Sequence, residues 1–283
     1  MKNFFPIWIL ILVMSLLSCK NGEEVIVPVD GYDVILVIGQ SNTHQGIGYD
    51  FWTDTSDKNV RQLGRFDDKN MKIVNASEPL DHFSPIQNNI GFVMTFAKEY
   101  KARFLQPGRS ILIIPGGMGG TGFISRYWNK GDTLYNDAVM RTNFALKNFS
   151  TKLVAILWHQ GESDIGNPDY QQNLDSMIVN IRKDIAGAEN IPFILGGFVP
   201  YWMKQDSSRI IVNAIIENTV NRIQRTGYAN PAIPFLIEKP DNDYFSIHYD
   251  AGGMREMGRR YFSEFERIIN LIGHNQLKND SKN

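Results

Sequence analysis

The sequence predicts an α/β fold, a three-layer α/β/α sandwich on a five-stranded, mainly parallel sheet. Five short runs rich in Val, Ile, Leu and Phe, at residues 34–38, 110–114, 153–158, 193–198 and 235–237, read as strands buried on both faces. Helical patterns separate most of them. Tyr170, Leu174, Met177, Ile178, Ile181 and Ile185 recur at steps of three and four, which gathers them into one apolar stripe. Met257, Tyr261, Phe265, Ile268 and Ile269 form a second stripe, and Phe92, Phe96 and Tyr100 a weaker third. Strand alternating with helix requires crossover connections, which lay strands side by side in parallel and cover both faces with helices.

Before the first strand, Lys2 precedes an almost wholly apolar run at residues 4–17, too short for a membrane span and suited to an export signal. It ends in Leu16-Leu17-Ser18-Cys19, where a small residue stands directly before the chain's one cysteine. This resembles the lipobox at which lipoprotein signal peptides are cut and the cysteine acylated. Residues 1–19 are therefore expected to be a lipoprotein signal peptide, with Cys19 as lipid anchor. The expected location is the cell envelope, on the periplasmic or outer-membrane face, with the membrane touched only through that anchor. Residues 20–33 read as a tether, 34–274 as one domain, and 275–283 as a polar tail that frays.

A single cysteine allows no internal disulfide, so the core must stabilise the fold. About 260 mature residues suffice for that. The formal net charge of -1 and a pI near 6.5 provide no basic field for nucleic acid, and the expected partner is small or neutral.

In a parallel sheet, ligands bind beyond the carboxyl ends of the strands. Gly39-Gln40-Ser41-Asn42 follows the first predicted strand, Pro115-Gly116-Gly117-Met118-Gly119-Gly120-Thr121 the second, and His159-Gln160-Gly161-Glu162-Ser163-Asp164 the third. The fifth leads through Asp241 and Asp243 to His248. A serine hydroxyl is a poor nucleophile until a base within reach accepts its proton, and His248 is the candidate base for Ser41. Ser41 alone would be read as a helix N-cap, a reading its company reverses. A surface or capping role for His248 stands evenly beside the role of base until the resemblance below is counted. The oxyanion that forms on attack needs fixed donors, for which the Ser41 amide, Gly119 or Gly120, and the Gln160 side chain are candidates.

Gln40, Asn42, Trp128 and Trp202 are candidate substrate contacts, although plain packing would equally explain the tryptophans and the neighbouring Tyr201. His159, Glu162 and Asp164 lack the spacing of a metal site, and no Gly-Lys-Ser/Thr follows the glycine run, so neither a metal nor a nucleotide is expected.

These blocks, in this order over nearly the whole mature chain, resemble SGNH hydrolases in the branch of sialate O-acetylesterases and family 6 carbohydrate esterases, the acetylxylan esterase type. The resemblance implies a three-layer α/β/α fold, no metal or organic cofactor, and hydrolysis of acetyl esters on saccharides through an acyl-enzyme. It also implies an aspartate three residues before the catalytic histidine, where this chain has Phe245. Asp243 is then the nearest candidate to orient His248, with Asp241 and Asp250 less favoured. Glu162 from the neighbouring loop or a backbone carbonyl are further candidates, because the orienter need only fix the tautomer and stabilise imidazolium. A non-catalytic glycan-binding lipoprotein and a lipase or thioesterase of the same fold stand as alternatives.

Overall fold

A computed structural model of the chain describes residues 30–238 and 247–280. The signal segment with Cys19, most of the tether, and Asp241, Asp243 and Phe245 lie outside the described residues. The chain opens with β1 (Gly31–Gly39), a 3-10 turn (Ser41–Thr43), β2 (Gly46–Ile47), β3 (Val60–Leu63), β4 (Ile73–Asn75) and β5 (Asn89–Ile90). It continues through α1 (Val93–Arg103), β6 (Arg109–Gly117), α2 (Thr133–Asn148), β7 (Thr151–His159), a 3-10 turn (Glu162–Asp164) and α3 (Tyr170–Asp184). The last part comprises β8 (Phe193–Gly196), α4 (Pro200–Met203), α5 (Ser207–Glu217), α6 (Thr219–Arg222), β9 (Thr226–Ala229) and α7 (Ala251–Asp280). None of the helices among the described residues is long and apolar enough to cross a membrane.

The main sheet has seven strands in the order β4-β3-β6-β1-β7-β8-β9, all parallel except the β3–β4 pair. Helices α1 and α7 cover one face, while α2 and α3 cover the other. The three central strands are the predicted Val/Ile/Leu runs, with Val34 to Ile38, Ile111 to Ile114 and Ala155 to Trp158 all buried. The α3 stripe is likewise buried at Tyr170, Leu174, Met177, Ile178, Ile181 and Ile185. On the opposite face Phe96, Tyr100, Phe104, Phe262 and Phe265 interlock edge to face, joining α1 to α7.

The sheet departs from expectation at both edges. Residues 235–237 form no strand: Phe235 and Leu236 are exposed on a loop, where the Phe235 ring and carbonyl meet Arg260. The strand beside β8 is β9, whose sequence Thr-Gly-Tyr-Ala carries no apolar run. Its cover comes from α7, which approaches so closely that a Cβ on Gly227 would lie 3.0 Å from Glu264 Cβ. At the other edge β3 and β4 carry polar residues, which hid them.

The tether also ends earlier than expected, because β1 begins at Gly31. Asp33, the last residue of the expected tether, is buried and accepts hydrogen bonds from Tyr100 Oη at 2.6 Å and Arg109 Nε at 2.7 Å. At the C-terminal end, α7 continues to Asp280, into the segment expected to fray.

The register of β1 fixes where chemistry can occur. Gly39, its last residue, lies opposite Gly117 of β6 and His159 of β7, so three loops leave the sheet side by side. Gly39 has φ +129°, and a Cβ there would overlap the His159 carbonyl, so only glycine fits.

Candidate active site

From Gly39 the chain turns at once. Gln40 N–H donates to His159 O at 2.8 Å, and Gln40 O accepts from Thr43 N at 3.0 Å, which closes the turn that Ser41 begins. Ser41 is buried and points toward the stretch ahead of α7. There His248 Nε2 lies 2.9 Å from Ser41 Oγ, across 207 residues of chain. That is a hydrogen-bond distance suited to proton transfer.

Asn42 holds the pair together. Its Nδ2 donates to Ile247 O at 2.9 Å and its Oδ1 accepts from Tyr249 N at 3.1 Å, so both neighbours of His248 are tied to the residue beside the nucleophile. The other Nδ2 proton goes to Glu162 Oε1 at 2.6 Å. Both donors and the acceptor of the amide are thereby engaged. The expectation that Asn42 contacts substrate is corrected: it is fully buried and positions the base.

Glu162 acts through Asn42 rather than on the imidazole. Its carboxylate is buried, with His159 Nε2 at 3.6 Å. Burial pushes its pKa up, but the His159 ring and the Asn42 amide more than offset this and hold it below the usual carboxylate range. His159 is fixed in turn by Tyr261 Oη, 3.1 Å from its Nδ1. Tyr261 spends its proton on Trp158 O at 2.7 Å and so receives the Nδ1 proton of His159. His159 is thus structural. Among the described residues no group of three or more His, Cys, Asp or Glu side chains is arranged to hold a metal ion.

The glycine loop after β6 borders Ser41. A Cβ on Gly119 would stand 2.9 Å from Gln45 Nε2 and 3.8 Å from Ser41 Cβ, so glycine lets this backbone close in on the nucleophile. Gly119 N–H donates to Ser84 Oγ at a long 3.4 Å. Gly120 has φ +72° and open space around it. Gln160 is not an oxyanion donor. It is fully buried, and its Nε2 donates to Asp164 Oδ2 at 2.6 Å and Thr121 O at 3.3 Å. Asp164 also accepts from Phe123 N at 2.8 Å and Ile124 N at 2.9 Å, so this pair braces the glycine loop.

The remaining expected substrate contacts also turn inward. Gln40 is buried, and its Oε1 accepts from Ser163 N at 3.1 Å. Trp128 is fully buried, donating Nε1 to Thr121 Oγ1 at 3.1 Å and packing edge-on against Trp158. Trp202 is enclosed by Phe198 and by Arg209, whose guanidinium carbon lies 4.1 Å from the indole centroid. Trp128 packs beneath the loop after β6 and Trp202 packs inward from α4, so plain packing accounts for both rings.

Two histidines that no motif marked lie under the nucleophile turn. His44 and His82 stack at 4.4 Å with an interplanar angle of 11°. His44 Nε2 is 3.2 Å from Ser84 O, and His82 Nδ1 accepts from Gly117 N at 2.9 Å. Burial lowers the His44 pKa from 6.5 to about 4; the Ser84 carbonyl opposes this and nearby His248 adds to it. Burial holds His82 well below its ordinary value too, aided by His44 and Arg65.

The chain's similarities agree with this geometry. Residues 31–267 match the family described as carbohydrate esterase, sialic acid-specific acetylesterase. The chain belongs to that family. A probable carbohydrate esterase of Arabidopsis thaliana is 34% identical over 100 residues, a stretch covering 34% of this chain and 37% of the relative. The chain therefore aligns with about a third of that relative's length. The solved structure of NanS has the same fold, with a TM-score of 0.74 at 18% identity, covering 88% of this chain and 99% of NanS. An Arabidopsis thaliana protein structure gives 0.67 at 20% identity, covering 84% and 98%. A carbohydrate acetylesterase from Xanthomonas citri gives 0.56 at 18%, covering 81% and 55%.

A histidine whose pKa is lower in the folded chain binds its proton more weakly there than when unfolded. Its contribution to stability is full above pH 6.5 and is lost as pH falls toward about 4. The unfolding free energy from urea titrations should therefore drop over this window, by about 3 kcal/mol through His44 alone. His44→Gln should flatten that slope, whereas an unchanged slope would contradict the assignment.

Proposed function

We propose that the protein is a serine esterase that hydrolyses O-acetyl esters on carbohydrates, of the sialate O-acetylesterase or acetylxylan esterase type. The observation that carries this reading is the 2.9 Å contact of Ser41 Oγ with His248 Nε2. Membership of the sialic acid-specific acetylesterase family supports it.

In the first half-reaction Ser41 Oγ attacks the acetyl carbonyl carbon while His248 Nε2 takes the hydroxyl proton. The negative charge that moves to the carbonyl oxygen meets the backbone N–H groups of Ser41 and Gly119, with Gly120 next in line. The intermediate collapses, the C–O bond to the sugar breaks, and the imidazolium returns its proton to the leaving sugar oxygen. Water then attacks the acetyl-enzyme as His248 accepts its proton, and collapse releases acetate and restores Ser41. We assign the acid behind the ring to Asp243, on its proximity in sequence.

Acetate release from acetylated saccharides and from nitrophenyl acetate tests the reaction. Ser41→Ala should lower kcat by roughly 10⁴-fold or more, and nitrophenyl acetate should be cleaved far faster than the butyrate. A parent protein that binds glycans without releasing acetate would support a lectin-like role instead. Preference for butyrate would point to a lipase or thioesterase.

We further infer that the protein is exported and anchored in the cell envelope by acylation of Cys19, as the Leu16-Leu17-Ser18-Cys19 segment supports. Cells fed a tagged fatty acid should label the parent protein in the membrane fraction. Cys19→Ser should abolish the label and release the protein into the soluble fraction; labelling that survives the substitution would refute the anchor.

A further inference from the structure

With Trp128 and Trp202 buried, the exposed apolar side chains include Tyr201 and Ile124 and a group on β2 and the turn after it. Ile47, Phe51 and Trp52 are 53%, 66% and 83% exposed. Phe51 and Trp52 meet edge to face, with centroids 5.2 Å apart and planes at 83°. Aromatic side chains contribute most when buried, so a pair held out in water on a fixed support suggests a surface waiting for a ligand.

The support is fixed. Asp50 Oδ1 accepts from Trp52 N at 3.1 Å and Thr53 N at 2.7 Å, and Asp54 Oδ2 accepts from Asp50 N at 2.9 Å. Asp54 in turn receives both Arg255 Nε at 2.9 Å and Nη2 at 2.7 Å, a two-pronged ion pair to α7. A turn held in this way pays little entropy when a ligand arrives.

Its position ties it to the catalytic pair. Ile47 forms a parallel bridge with Asp250, two residues beyond His248, and β2 starts just after the nucleophile turn. Arg255, which grips the turn, lies about 6 Å along the helix axis from Ala251. The aromatic turn is therefore fastened to the first turns of α7, the helix that follows His248.

We propose that Trp52, with Phe51, is a stacking subsite for a neutral sugar ring of the substrate, adjacent to the sugar whose acetyl group is removed. The preferred substrates are then acetylated oligosaccharides or glycan chains rather than single sugars. The inference rests on the carbohydrate esterase reading. The C–H face of a pyranose matches an exposed indole. The surroundings favour a neutral ring over an anionic lipid surface, since hydrogen bonds from Thr53 and Trp52 hold Asp50 below the usual carboxylate range and keep it charged.

The test titrates Ser41→Ala protein with a panel of neutral xylo-, gluco-, manno- and galacto-oligosaccharides by calorimetry. At least one should bind, Ser41→Ala/Trp52→Ala should weaken it roughly tenfold, and Ser41→Ala/Trp52→Phe should recover most of the loss. In the catalytic background, Trp52→Ala should raise KM on the corresponding acetylated oligosaccharide and leave kcat little changed. No binding to any member of the panel, or equal binding with and without Trp52, overturns the subsite. So does a Trp52→Ala effect confined to vesicle binding or to self-association. Parent activity on nitrophenyl acetate separates these outcomes from failure of the esterase reading, which would abolish that activity too.

Discussion

The geometry of the site depends on one side-chain amide. Asn42 adjoins the nucleophile in sequence and grips Ile247 and Tyr249 on either side of the base. A histidine on a loop ahead of a helix would sample many positions, and a shift of about 1 Å in a reacting group can cost roughly a hundredfold in rate. The amide cannot rotate away without leaving the buried Glu162 carboxylate short of a donor, which is costly in a low dielectric. His159 and Tyr261 carry the same restraint into β7 and α7. The base is thus held by the core through its backbone.

The sheet supplies the second constraint. Because β1 lies between β6 and β7 with their ends in register, the serine, the glycine loop and the Gln160–Asp164 brace emerge at neighbouring points. Aligning them needs only short turns, and the glycine at position 39 permits the closest of these. Here the packing of buried aliphatic strands fixes the relative placement of groups that share no local sequence. Stability of the fold and alignment of the site then have a common source.

Much of this could be read from the sequence, for identifiable reasons. Strands buried on both faces must be continuously apolar, so β1, β6 and β7 were visible, and helices with one buried stripe were visible by their period. The nucleophile and base followed from what the strands lead into. Edge elements were not visible: β9 draws its apolar cover from α7, and Phe235 and Leu236 imitated a strand on an exposed loop. Asp33 and Gln160 were misread because a polar side chain does not reveal its partner. Each is satisfied inside, by Tyr100 and Arg109 in one case and by Asp164 and Thr121 in the other. Aromatic residue type does not reveal burial either: Trp128 lies in the core while Trp52 stays in water.

Asn42 places the imidazole at the hydroxyl through the backbone on either side of it. Steady-state kinetics of Asn42→Ala on nitrophenyl acetate test it most directly, with circular dichroism confirming that the fold persists. The substitution should lower kcat roughly a hundredfold with KM little changed, as expected for lost alignment of the base. A folded Asn42→Ala protein with the parent's kcat would contradict it.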